Sequence, residues 1–195
     1  MSMLEQRIQQ QFFESADLKY QSAELLSRDV ATATQALLGA ITTGGKVLIY
    51  GSGAGEALAG HLQALLVGRF ERDRPPLAAI EISAAGALAT MLGTSEAAAQ
   101  QVRALAQPGD VLVVIDGGGL EETTAAAVAA AREQDASVVV LSSTANPAWR
   151  ELLSDTDVLV AVPHERAARV LEMHLLVLHA ICDALDAQLL GDQES

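Results

Sequence analysis

Two glycine-rich stretches have the residue types and positions to do chemistry. The first, Gly51-Ser52-Gly53-Ala54-Gly55-Glu56, follows a β-branched run and opens a helical stretch, so the free backbone N–H groups at Ser52 and Gly53 can hold an anion. Glu56, in the first helical turn, competes for the same positive end of the dipole. The glycines equally serve a plain reading, in which they only permit a tight strand-to-helix turn. The second stretch, Asp116-Gly117-Gly118-Gly119-Leu120-Glu121-Glu122, places carboxylates where an anion site wants hydroxyls. Asp116, Glu121 and Glu122 read instead as caps for a helix that starts near Leu120. The spacing Gly51-x-Gly53-x-Gly55 is not the G-x-G-x-x-G dinucleotide fingerprint, and only Glu81 supplies an acid at the end of the second apolar run, so no nicotinamide cofactor is expected.

The remaining candidates have structural readings beside their chemical ones. His174, inside Leu171-Glu172-Met173-His174, reads as a hydrogen-bonded packing residue, and His164 after Pro163 as a solvated cap at a strand end that can also face a pocket. Cys182 reads as a small core residue. Trp149 reads as the anchor of a short helix opened by Asn146-Pro147, with Asn146 as its N-cap. The mixed-sign cluster Arg69-Glu71-Arg72-Asp73-Arg74 is either a solvated loop or a set of intersubunit ion pairs.

These residues need elements to hold them, and the apolar runs supply such elements. Lys46–Gly51, Leu77–Ser83, Asp110–Asp116, Ser137–Ser143 and Asp157–Pro163 are of strand length and alternate with Ala-rich stretches long enough for crossover helices. That alternation implies a parallel, doubly wound sheet with helices on both faces, whose ligands bind beyond the carboxyl ends of the strands. Before it, Leu4, Ile8 and Phe12, then Leu26, Val30, Leu37 and Ile41, recur at helical spacing until Gly44-Gly45. They read as a helical hairpin, either a subunit interface or a cover over one face of the sheet. A long apolar helix closes the chain and ends at Leu189-Leu190.

The bulk composition sets limits. The 195 residues are 50% apolar, with 15 Gly, 5 Pro and 3% aromatics, enough for one domain with its own core. Single-domain organisation is read as 1–44 helical, 45–163 α/β core, and 164–195 C-terminal helix and tail. With 12 Lys+Arg against 25 Asp+Glu, the net charge of -13 repels a phosphate backbone, so direct nucleic-acid binding is not expected. The single cysteine excludes a disulfide framework and a cysteine-based metal cluster. The N-terminal Met1–Ser15 segment is too polar for a signal peptide, and no apolar run reaches spanning length, so a cytoplasmic protein with no membrane partner is expected.

Several segments together resemble the SIS-domain family. They are the glycine-rich loop leading to His61, the block Gly68-Arg69-Phe70-Glu71-Arg72-Asp73-Arg74-Pro75, the run from Gln101-Val102-Arg103 to Asp110-Val111-Leu112, and Arg169-Val170-Leu171-Glu172-Met173-His174. The resemblance is to the branch holding the phosphoheptose isomerases and the initiator-associating (DiaA) proteins, which bind the replication initiator DnaA, and it covers nearly the whole chain. It implies a five-stranded flavodoxin-like sheet, a homo-oligomer, by analogy a tetramer, and a phosphosugar pocket shared between subunits.

Carried over residue by residue, the isomerase pattern matches at His61 and His179 but puts Leu65 where a glutamate acts as acid/base and Leu171 where a glutamine stands. Leucine cannot move a proton between adjacent carbons, and two histidines are too few for tight zinc. Glu172 lies seven residues before His179, nearly on the same helix face, which offers a replacement acid/base pair. The family's hydroxyl-rich third-strand loop keeps hydroxyls here only at Thr123 and Thr124.

The expectation is accordingly a non-catalytic oligomer that binds DnaA, with His61, Glu172 and His179 as remnants of a pocket. Ser52, Gly53, Thr123 and Thr124 are the residual ligand contacts, and Leu189 and Leu190 form the partner patch. No cofactor is expected, zinc entering only under the alternative of a sedoheptulose 7-phosphate isomerase. A second alternative is a phosphosugar-binding regulatory protein.

Overall fold

The computed structural model describes residues 1–191; the polar tail, 192–195, lies outside the described residues. Elements follow in the order α1 (Met3–Thr42), β1 (Val47–Ser52), a 3-10 turn (Gly53–Gly55), α2 (Glu56–Val67), β2 (Ala79–Ile82), α3 (Gly86–Leu92) and α4 (Thr94–Leu105). Then come β3 (Val111–Asp116), α5 (Glu122–Glu133), β4 (Ser137–Ser143), α6 (Ala148–Leu152), β5 (Val158–Val162) and α7 (Ala167–Leu190). All strand pairs are parallel, in the order β2-β1-β3-β4-β5, so the order reverses between β1 and β3. The expected strands are all present, and the flavodoxin-like sheet stands.

Period-two alternation divides the strand residues between two cores. Val47, Ile49, Val113, Ile115, Leu141 and Val160 face α1, α2 and α7. Leu48, Tyr50, Leu112, Val114 and Val140 face α4, α5 and Trp149. Ala at 97, 98, 99, 127, 130 and 131 is fully buried, which lets α4 and α5 approach closely with little side-chain volume between them.

The N-terminal hairpin is corrected: α1 is one helix of 40 residues. The segment between the two apolar stripes, residues 14–23, has neither Gly nor Pro to break it. A capping box at Ser2 and Glu5 starts the helix, and Thr43 and Gly44 (φ 85°) end it. Burial on α1 begins only at Leu18; Leu4, Ile8, Phe12 and Phe13 are 50–71% exposed, so the first stripe is a free face. Among the described residues no helix is long and apolar enough to cross a membrane.

Candidate functional site

The two glycine-rich loops meet at the switch point, backbone against backbone. Gly117 N donates to Ser52 O (3.1 Å), and any Cβ on Gly55 would overlap the Ile115 carbonyl oxygen, while one on Gly117 would overlap Gly55 N. The plain reading of those glycines therefore holds for Gly55 and Gly117: they allow the loops to touch. Ser52 closes β1 with its hydroxyl buried and unpartnered, and Gly53 follows exposed at φ 52°. Of the two loop hydroxyls in α5, Thr123 is half-buried and Thr124 fully buried beside Tyr50.

Asp116 does not cap α5. That helix begins at Glu122 with Glu121 at its N-cap, and Glu121 makes no side-chain cap bond, so the capping expectation is corrected. Asp116 turns inward instead. Its Oδ1 accepts from the N–H groups of Gly118 (3.1 Å) and Gly119 (2.6 Å), and its Oδ2 from Ser142 Oγ (2.6 Å), Trp149 Nε1 (2.7 Å) and Asn146 Nδ2 (3.0 Å). Burial alone would push this carboxyl up, but the hydrogen bonds from Ser142, Trp149, Gly119 and Gly118 outweigh it and hold the group below the ordinary carboxylate range. The loop amides that could have met an incoming anion are thus occupied by the chain's own carboxylate. Asn146, expected as the N-cap of the short helix, spends its amide on Asp116, and Pro147 takes the cap position of α6. Trp149 does anchor that helix and is fully buried.

Beyond Asp116 lies a cleft of about 140 Å³, lined by Gly117–Gly119, Ser143, Asn146, Glu165 and Leu171 among others. His61 and His179 do not line it. They meet elsewhere, where α2 crosses α7: both are half-buried, and their Nε2 atoms are 3.0 Å apart, so one ring donates and the other accepts. The ring centroids are 5.3 Å apart at 60°, and the Phe70 ring lies 5.4 Å from that of His179.

Glu172 is not part of this pair. Its Oε2 accepts from Ser15 Oγ of α1 (2.7 Å) and from Arg169 (2.5 Å), so the proposed pairing with His179 is corrected. Seven residues of helix put both side chains near one face, but Arg169 and α1 draw the carboxylate away.

The donor set does not fit the zinc that the family resemblance would bring. Leu65 and Leu171 offer no ligand atom, and among the described residues no group of three or more His, Cys, Asp or Glu is placed to hold a metal.

The other singled-out residues fall out as follows. His174 is buried with Nε2 3.2 Å from Ser142 O, and burial pushes its pKa down. His164 accepts from Arg166 N through Nδ1 (2.9 Å). Burial pushes the Cys182 thiol up to about 12. Leu190 is exposed and Leu189 half-buried at the end of α7. Sequence reasoning missed Ser142 and Asn146 as Asp116 partners; the signal available was a strand ending in Asp followed by three glycines, a sequence suited to a turn closed on that side chain.

The SIS domain family matches residues 11–143, and the chain belongs to it. It is 50% identical over 198 aligned residues to a phosphoheptose isomerase of Methylibium petroleiphilum, covering 100% of this chain and 99% of that one. A phosphoheptose isomerase of Bordetella avium is 40% identical over 192 residues, 96% of this chain and 98% of the relative. Phosphoheptose isomerase GmhA from Neisseria gonorrhoeae shares the fold with a TM-score of 0.87 at 35% identity, covering 95% of this chain and 100% of that one. These similarities overturn the expectation of a non-catalytic, DnaA-binding oligomer: relatives alike from end to end are named as isomerases. Leu65 and Leu171 depart from the isomerase pattern at two positions, while His61 and His179 are in contact. With that partner withdrawn, Leu189 and Leu190 have no assigned role.

Proposed function

We propose that the chain is a phosphosugar isomerase of the phosphoheptose type, an aldose–ketose isomerase whose proton-handling group is the His61–His179 pair. The observation that carries this reading is the 3.0 Å Nε2–Nε2 contact, in a chain 50% identical end to end to a phosphoheptose isomerase. Interconverting a 2-ketose and an aldose moves a proton from C1 to C2 through an enediol. The step needs an acceptor for the carbon-bound proton and a donor at the carbonyl oxygen. The pair supplies one of each once substrate takes the place of the inter-ring bond: the nitrogen that had accepted then has a free lone pair to take the C1 proton and return it at C2, while the freed N–H donates to the oxygen on which charge develops.

The reading includes a second copy of the chain. A cleft of about 140 Å³ is below the range of roughly 300 Å³ and upward usual for small-molecule sites, and the histidine pair lies outside it on the α2/α7 surface. The free apolar face at Leu4, Ile8, Phe12 and Phe13 is the surface on which such a copy would pack.

The test is direct. Incubation with sedoheptulose 7-phosphate should yield the aldose phosphate, with turnover falling roughly 100-fold or more in His61→Ala and in His179→Ala. A second reading, phosphosugar binding without turnover, is favoured by the hydrocarbon at Leu65 and Leu171. It expects no product but a thermal midpoint raised by the phosphosugar. Absence of both product and stabilisation overturns both readings.

A further inference from the structure

The block Gly68–Pro75 reaches the last helix at three places, within one protomer. Phe70 lies against His179, Arg72 donates to Gly191 O (3.0 Å), and Arg74 pairs with Asp186 through Nε and Oδ1 at 2.6 Å. The Arg74–Asp186 pair is buried, with the two side chains only 1% and 2% exposed. The rest of the guanidinium is turned on α2: one terminal nitrogen donates to Leu66 O (2.8 Å) and the other to Leu65 O (2.7 Å). These are carbonyls of the last helical turn, which have no partner within their own helix. One planar group thus binds the end of α2 to a carboxylate on α7.

The positions of these contacts give the clamp its meaning. Leu65 is four residues, one turn, beyond His61; Asp186 is seven residues, two turns, beyond His179. The two helices are therefore joined at two points, the imidazole contact and the guanidinium bridge. Apolar packing of Leu62 and Leu66 with Leu178, Ile181 and Leu185 presses the helices together, and the two polar links add the directional contacts that set their register. Lysine, a point charge on a flexible stem, reaches the carboxylate but not both carbonyls as well.

We propose that Arg74 and Asp186 are positioning residues that hold His61 and His179 in hydrogen-bond register. Neither touches the reacting atoms. The catalytic part of this inference rests on the isomerase reading; the geometric part does not.

Two variants separate positioning from plain stability. Replacing a buried ion pair with apolar residues of similar size is often neutral or stabilising, so Arg74→Met with Asp186→Leu keeps the core while removing the carbonyl bridge. Arg74→Lys keeps the charge pair. The readout is the Nε2–H···Nε2 bond itself, followed in full-length protein labelled with 15N-histidine by the 15N–15N coupling across the bond and by exchange protection of the imidazole N–H. The wild type should show both signatures. Each variant should lose them while the buried His174 signal and the thermal midpoint stay close to wild type, and kcat should fall roughly 100-fold with KM little changed, the size expected for a displacement of about 1 Å. Retention of the histidine bond in the double variant overturns the proposal, as does its absence from the wild type. A wild type that shows the bond but converts no sugar overturns the isomerase reading and leaves the clamp to be decided by the spectrum.

Discussion

Replacing Asp116 with Asn keeps the side-chain volume and turns one carboxylate oxygen into an amide nitrogen, which donates and cannot accept. Either amide orientation faces donors with a donor: the Gly118 and Gly119 N–H groups on one side, or Ser142, Asn146 and Trp149 on the other. At least two bonds to a charged acceptor are lost. Such bonds contribute about 1.5–3 kcal/mol each. The net loss is set at about 3–5 kcal/mol, the range for breaking up a buried charged network. For a chain of this size each kcal/mol moves the thermal midpoint by about 2–4 °C, so the expected fall is roughly 6–20 °C at neutral pH.

The pH dependence has a definite sign. Because the folded Asp116 carboxyl titrates below its ordinary value, its contribution is present above the unfolded value near 4 and drains away as pH falls through the folded one. The Asn variant should lack that acid-limb loss. Thermal or urea unfolding measured from neutral pH into acid, for wild type and Asp116→Asn side by side, checks both statements. A neutral-pH difference under about 1 kcal/mol, or parallel acid limbs, would refute the account of Asp116 as the ionised centre of the loop network.

Two further outcomes follow from burial and exposure. Removing residues 1–16, whose large apolar side chains are exposed, should lower the native mass from a multiple of 20.3 kDa towards that of a single chain while leaving the sheet's circular dichroism intact; light scattering decides, and an unchanged mass shows that the interface lies elsewhere. Cys182, fully buried with its thiol pushed up to about 12, should resist an aromatic disulfide reagent at neutral pH until the chain unfolds, and rapid labelling of the native protein would contradict its packing.

The sheet was legible because each strand is a short β-branched run bounded by polar or glycine-rich turns, and five such runs at crossover spacing admit few topologies. The start of the chain was misread for a reason of the same kind. Periodicity reports which face a helix buries, and α1 changes its contacts partway along, from polar ones between Gln11, Glu14 and Ser15 and the start of α7 to apolar packing on α7 and β5 from Leu18 onward. Such a change resembles a turn when only apolar spacing is followed.

The site was legible in part. His61 and His179 are 118 positions apart, and only the fold brings them into contact. Glu172 shares a helix with His179 yet is drawn off by Arg169 and Ser15, which no spacing rule shows. Arg74 was visible as one charge among five in a mixed cluster; its burial, and hence its importance, depends on where the end of α7 comes to rest.

The crossing of the two glycine loops bears on how this mouth can be altered. Neither Gly55 nor Gly117 can accept even a methyl group without moving the backbone that carries β1 or β3, so these two positions are closed to larger side chains. Among the other residues lining the cleft, Glu165 is exposed and Leu171 half-buried, and both lie outside the two glycine loops. Changes at Gly55 and Gly117 would register first as loss of the folded protein, whereas changes at Glu165 and Leu171 leave the loop crossing intact.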